Sequence, residues 1–181
     1  NQLGEAILGE EEAAHRLDAV LALLARPDVD YISVKISAIF SQINLLAWDE
    51  TLKQICERLR RLYRAAMPGN KFVNLDMEEY RDLDMTVAAF KAVLSEPDFL
   101  GINAGIVLQA YLPESHNAFA GLVEWAKERH QIKGGQIKVR LVKGANLAME
   151  KAEGELHGYI PAPYGSKSDV DASYARLVDT A

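Results

Sequence analysis

Cysteine is nearly absent from this chain. Cys56 is the single one in 181 residues, which excludes an intramolecular disulfide framework and fits a reducing compartment. No run approaches the roughly 20 apolar residues of a membrane-spanning helix. The first residues also lack the charged, apolar and small-residue succession of a secretory signal. The expected location is therefore the cytoplasm, with any membrane contact peripheral. Positive charge is short too: 20 Lys and Arg stand against 26 Asp and Glu, a formal net charge of −6. A nucleic-acid backbone, which needs a basic patch, is not an expected partner. No Gly-x-Gly-x-x-Gly follows the first predicted strand, so a Rossmann dinucleotide site has no support. His15, His116, His130 and His157 are scattered without metal-ligand spacing, and no metal site is expected.

What is present is a regular alternation of helical and extended patterns. Glu10 to Ala25 carries apolar residues at Ala14, Leu17, Leu21 and Leu24, a helical spacing that stops at Pro27. Tyr31 to Ser37 reads as a strand, Trp48 to Ala66 as a helix striped by Leu52, Ile55, Leu59 and Leu62, and Phe72 to Asp76 as a short strand. A helix follows over Asp82 to Leu94, with Leu83, Val87, Phe90 and Leu94 inward, then a strand over Gly105 to Ala110. Ser115 to Arg129 reads as a helix with Ser115 as its N-cap, Ile137 to Val142 as a strand, and helical patterns follow through Glu150 to His157 and again from Asp169. Such alternation with short connections implies βαβ units and a parallel sheet, in a barrel or a doubly wound sheet. A complete barrel of eight βα units takes about 250 residues, so this chain is too short for one. It starts at Asn1 and stops at Ala181 inside a predicted helix, and is expected to be cut from a longer polypeptide. Trp48 and Trp125 read as helix packing, and Cys56 as inert.

Side chains alternate across a strand, so parity sorts each strand into two faces. Val34 and Ile36 suit packing against helices, which leaves Ser33, Lys35 and Ser37 on the other face. The same rule places Asn74 with Asp76, Val107 with Gln109, and Lys138 with Arg140. Lys35, Asp76, Gln109 and Arg140 would then follow one another around the C-terminal mouth of a βα barrel, where active sites form. Each could also be no more than a salt-bridged or solvated strand end. Charges in a partly buried lumen are costly unless paired, so Lys35 is expected to face Asp76, either as a purely structural pair or to receive a substrate's carboxylate and amine. Arg140 and Lys143 add cations close to Gly144-Ala145, where a loop opens into a helix and backbone amides favour phosphate or an electron-rich ring edge.

Five blocks then stand in order: Leu3-Gly4-Glu5-Ala6, Ser33-Val34-Lys35-Ile36-Ser37, Asp76-Met77-Glu78-Glu79, Gln109-Ala110-Tyr111 and Arg140-Leu141-Val142-Lys143-Gly144-Ala145. Together they resemble the proline dehydrogenase domain of the bifunctional proline utilization A enzymes. The resemblance implies an incomplete (β/α)8 TIM-type barrel domain over residues 1–181, holding about the first five of the eight strands. It also implies noncovalent FAD at the C-terminal ends of the strands, oxidation of L-proline to Δ1-pyrroline-5-carboxylate, and reoxidation of the flavin by a membrane quinone. A downstream pyrroline-5-carboxylate dehydrogenase domain would belong to the parent chain. Carried over by motif, Lys35 would bind the proline carboxylate, Asp76 would organise the pocket, and Ala145 and Asn146 would border the substrate. Met77, Gln109, Val142, Lys143, Gly144, Ala145 and Leu147 would line the flavin, Arg140 would lie beside its reactive nitrogen, and Lys167 would sit near its adenosine or phosphate end.

This chain departs from the family pattern at Asn146-Leu147, where relatives carry an aromatic pair, and at Val170 and Gly165, where hydroxyl residues are expected near the phosphates. The family's later flavin-gripping segment and its arginine-bearing last helix are absent from the 181 residues, which are therefore expected to bind FAD weakly and to be inactive alone. Two other readings stay open at this level. One is a Schiff-base lyase using Lys35 or Lys143, although Lys35 beside Asp76 should remain protonated. The other is a non-catalytic partial barrel whose exposed strand edges invite self-association.

Overall fold

The computed structural model describes residues 9–77 and 79–180. The Leu3-Gly4-Glu5-Ala6 block and Glu78 lie outside them. The elements run α1 (Glu10–Ala25), β1 (Tyr31–Lys35), α2 (Ile36–Ile39), α3 (Trp48–Ala66), β2 (Phe72–Asp76), α4 (Leu83–Leu94), β3 (Ala104–Gln109), α5 (Ser115–Gln131), β4 (Ile137–Val142), α6 (Leu147–His157) and α7 (Lys167–Thr180). The four strands pair in the order β1-β2-β3-β4, every pair parallel. Sequential parallel strands joined through helices build one wall of a βα barrel.

The register confirms the parity argument. Ser33, Asn74, Gly105 and Lys138 lie side by side across the sheet, Lys35 beside Asp76, and Gln109 beside Val142. The opposite face carries Val34, Val73, Leu75, Ile106 and Leu108, all buried in the core. Against it pack Ile55, Leu59 and Leu62 of α3, Ala89, Phe90 and Val93 of α4, and Phe119 and Leu122 of α5. The 3.6-residue period gives each of these helices one apolar stripe to spend on the sheet. Trp125 meets Phe90 edge-on at 5.7 Å while its Nε1–H donates to Ser95 Oγ, and Cys56 is buried where desolvation pushes its thiol pKa up. Both are structural, as expected. α7 settles on α5 through Leu177 and a 2.9 Å hydrogen bond between His116 and Ser173.

One cation organises the N-terminal side of the sheet. Arg129, 3% exposed near the end of α5, donates to the carbonyls of Leu94, Phe99 (3.0 Å), Ile102 (3.0 Å) and Gly135 (3.1 Å). These include an orphan carbonyl of the α4 C-terminus and those of the turns entering β3 and β4; the Phe99 carbonyl also accepts the Ile102 N–H at 3.1 Å.

Several local expectations are corrected. β1 ends at Lys35, where its ladder with β2 ends, and Ile36 and Ser37 belong to α2, all four of whose residues are buried. Ser115 is not the N-cap of α5: Glu114 holds that position, and the Ser115 hydroxyl donates to the Gln109 carbonyl at 2.7 Å. Val87 is only partly buried, with Met85 and Ala89 taking more of the inner face of α4. The described residues contain four strands rather than about five. Between α6 and α7 the chain runs through Pro161 and Pro163, residues that cannot donate to a strand ladder.

Candidate active site

Asp76 closes β2 and is 5% exposed. Its Oδ1 accepts from Arg140 at 2.6 Å and from Asn74 Nδ2 at 2.8 Å. The same amide nitrogen also donates to Ser33 Oγ at 3.0 Å. A polar chain therefore crosses the inner face from β1 to β4, Ser33–Asn74–Asp76–Arg140. Gly105 lies in its path on β3, and a Cβ there would stand 2.5 Å from Asn74 Oδ1, so the glycine makes room for the network. Lys35 stands in register beside Asp76, as anticipated, but the hydrogen-bonded ion pair at Asp76 comes from Arg140. The long planar guanidinium spans β3 over Val107, its own register partner. The Arg140 side chain remains 47% exposed, so the carboxylate holds it without burying it.

Gln109, at the end of β3 and 1% exposed, donates from Nε2 to the Met77 carbonyl at 2.7 Å. Its Oε1 is buried without a donor. Beyond the strands the ladder continues through Ala110 N–H to Val142 O (2.7 Å) and Tyr111 N–H to Lys143 O (2.9 Å). That contact lays the buried Tyr111 ring against Gly144, whose φ is +127°, and a Cβ at Gly144 would fall 1.2 Å from the ring. Two of the sequence blocks are thus one packed unit, and only glycine fits at this position.

Lys143 and Lys167 share Asp171, Lys143 bonding Oδ1 and Lys167 reaching Oδ2 at 2.6 Å. The two cations lower the Asp171 pKa, and Ser166 Oγ accepts the Asp169 N–H to start α7. Val170, the departure near the expected phosphate site, faces the core.

A cavity of about 550 Å³ opens at this end of the sheet. Among its walls are Lys35, Asp76, Met77 and Asn146, four residues that the sequence singled out. Ala145 and Leu147 are not among its lining residues. Sequence reasoning missed Asp82, Thr86 and Glu150, which also line it. Asp82 immediately precedes α4 and reads as an N-cap, yet it makes no capping bond. Burial, then the neighbouring Glu79 and Glu150, push its pKa up to about 6 against the opposing pull of Arg81 and Lys35. Its Oδ1 and the Thr86 hydroxyl are both buried without a hydrogen-bond partner. No apolar period marks Glu150, which with Gly154 makes up the buried residues of α6.

The proline dehydrogenase family model matches residues 1–181. The chain belongs to the proline dehydrogenase family. Among curated relatives, it is 29% identical to the proline dehydrogenase of Deinococcus radiodurans over 181 residues, covering 97% of this chain and 50% of that protein. It is 28% identical to the bifunctional protein PutA of Klebsiella aerogenes over 145 residues, 79% of this chain and 11% of that protein. Among solved structures, proline utilization A from Corynebacterium freiburgense superposes with a TM-score of 0.93 at 50% identity, covering 98% of this chain and 19% of that one. The Bdellovibrio bacteriovorus proline utilization A inactivated by N-propargylglycine gives 0.86 at 35% identity, covering 97% and 20%. The chain thus spans from about a tenth to half the length of these curated relatives. Its four-stranded parallel sheet is a portion of the (β/α)8 barrel expected from the sequence.

Proposed function

We propose that this chain supplies the first part of a site that oxidises L-proline to Δ1-pyrroline-5-carboxylate with FAD, the electrons passing to a membrane quinone. The observation that carries the reading is the Asp76–Arg140 pair at 2.6 Å, with Lys35 in register beside it, at the edge of a cavity large enough for a small amino acid. Proline brings a carboxylate, which requires a cation, a ring ammonium, which requires an acceptor, and ring methylenes that require apolar surface. Lys35 and Arg81 are the cations of the cavity wall, and Lys35, in register beside Asp76, receives the carboxylate; Met77 offers apolar surface to the ring.

The donor set also fits a flavin. Gln109 Oε1 is a buried acceptor without a donor, which an imide N–H of the ring system would satisfy. Bound FAD supplies the two-electron acceptor for the hydride that leaves the proline ring. The chain's own residues prepare that site. Asp76 fixes the Arg140 guanidinium, so a positive charge is held in place without rearrangement, and the Met77 carbonyl fixes the Gln109 amide. Lys143 and Lys167, held together by Asp171, form the cationic pair toward the phosphates. Val142, Gly144, Ala145 and Leu147 border the ring system, and Asn146 the substrate.

In this reading the chain works within a longer polypeptide, as its likeness to the bifunctional protein PutA suggests, with a pyrroline-5-carboxylate dehydrogenase following it. The reaction runs in the cytoplasm against the inner face of the membrane; among the described residues no helix is long and apolar enough to cross it. The Schiff-base alternative gains no support at Lys143, which is ion-paired to Asp171. The test is anaerobic addition of L-proline to the polypeptide containing this chain. Bleaching of a yellow flavin spectrum supports the reading, and a protein that takes up no flavin refutes it.

A further inference from the structure

The segment after Asp76 is grasped from three successive places in the chain. Arg140 of β4 holds Asp76, Gln109 of β3 holds the Met77 carbonyl, and Glu150 of α6 accepts the Tyr80 backbone N–H at 2.8 Å. The first two come from the sheet. The third comes from a helix with no apolar side chain in the core: only Glu150 and Gly154 are buried among its 11 residues, and Gly154 has no side chain. Glu150 is 8% exposed, so α6 is anchored by a carboxylate rather than by a hydrophobic stripe.

Burying a carboxylate is costly unless it is hydrogen-bonded. Here the bond is charge-assisted, and it falls on the first residue of the 3-10 turn Tyr80–Asp82 that leads into α4, where unpaired N–H groups favour negative charge. The consequence is felt in the cavity. Met77, Glu79, Tyr80, Arg81 and Asp82 all line it, as does Glu150. The tie joins opposite walls across 70 positions of sequence.

We propose that Glu150 is a positioning residue: from α6 it holds the Tyr80 amide and so fixes the Glu79–Asp82 turn as a wall of the substrate cavity. This rests on the assignment of that cavity to proline. Glu150 touches no reacting atom; it acts through the turn, so its loss weakens substrate binding before it slows the chemistry.

The experiment compares Glu150→Ala, Glu150→Gln and Glu150→Asp in the polypeptide containing this chain, reading amide hydrogen exchange at Tyr80 together with KM and kcat for L-proline. Glu150→Ala raises exchange at Tyr80 by about tenfold or more and raises KM by a similar factor, while kcat stays within about twofold. Glu150→Gln keeps an acceptor at the same reach and restores both readouts to within about twofold of the parent. Glu150→Asp keeps the charge but falls short of the amide, and follows alanine while preserving the fold if alanine does not. Unchanged Tyr80 exchange in Glu150→Ala overturns the proposal, as does faster exchange with an unchanged KM. Glutamine behaving like alanine also overturns it, since charge rather than the hydrogen bond would then be at work. A parent protein inert toward proline refutes the functional reading instead, and the exchange comparison still decides the tie.

Discussion

Asp82 is a buried acid that resists ionisation, and this makes its contribution to stability calculable in sign and rough size. Its pKa rises from the usual 3.8 to about 6, chiefly because burial removes the carboxylate from water, with Glu79 and Glu150 adding repulsion and Arg81 and Lys35 partly offsetting it. Between those two values the folded state binds more protons than the unfolded one, so stability falls as pH rises through that window. The contribution is fully present below about pH 4 and lost above about pH 6. Each unit of pKa corresponds to about 1.4 kcal/mol, so ionised Asp82 burdens the fold by about 3 kcal/mol at neutral pH, as an order of magnitude. Asp82→Asn removes the ionisation while keeping the shape. The variant is expected to be more stable than the parent at pH 8 by up to about 3 kcal/mol, or very roughly 5 to 10 °C in Tm, and indistinguishable from it near pH 4. Urea unfolding of both proteins from pH 4 to 8 measures the difference and cancels the other carboxylates. A stability difference that does not change with pH, or an asparagine variant less stable at pH 8, would refute the reasoning.

Other substitutions test separate parts of the site and its scaffold. Gly144→Ala forces a Cβ into the Tyr111 ring at a positive φ and should cost about 2 kcal/mol or more; thermal unfolding measures it, and Tyr111→Ala in the same chain should recover part of the loss. Arg129→Met removes a donor from four carbonyls, that of Phe99 keeping the Ile102 N–H, and should destabilise by about 2 to 3 kcal/mol in urea unfolding, with Arg129→Lys recovering little because an ammonium cannot span them. Arg140→Met should lower kcat/KM for proline by about a hundredfold or more in the anaerobic flavin-reduction assay and also lower Tm, since buried Asp76 loses its cation; Arg140→Met with Asp76→Asn should recover Tm but not kcat/KM.

The sheet was legible because its strands obey a two-residue period with one apolar face, and Phe72–Asp76 and Ile137–Val142 fall where the pattern places them. Parity also put Lys35, Asp76, Gln109 and Arg140 on one face, and the register bears that out. Parity does not tell how far a side chain reaches. Lys35 is the nearest-strand neighbour of Asp76, yet the bond comes from Arg140, because a guanidinium can cross an intervening strand when the residue between, Val107, presents nothing polar. The loop after β2 was illegible for a different reason. The sequence reads Asp82 as the first residue of a helix, and only the fold buries its carboxylate and sets Glu79 and Glu150 nearby, which together raise its pKa. Glu150 sits on a helix whose polar anchoring contradicts the rule that inward faces are apolar, so periodicity passes over it.

The polar face of this sheet would be a defect in an ordinary core, and its cost explains how it is built. Ser33, Asn74 and Asp76 are each less than a tenth exposed, and groups buried to that degree are tolerated only when they satisfy one another. A single carboxylate oxygen, Asp76 Oδ1, collects two of the donors, one from its own strand and one from β4. The atoms left without partners are therefore the informative ones. Gln109 Oε1 lies at the C-terminal end of β3, while Asp82 Oδ1 and the Thr86 hydroxyl belong to the cavity wall. The network is not fully closed on the strands, since Asn74 Oδ1 also lacks a donor, and the polar atoms left open at the strand ends are where a ligand with its own donors would complete it.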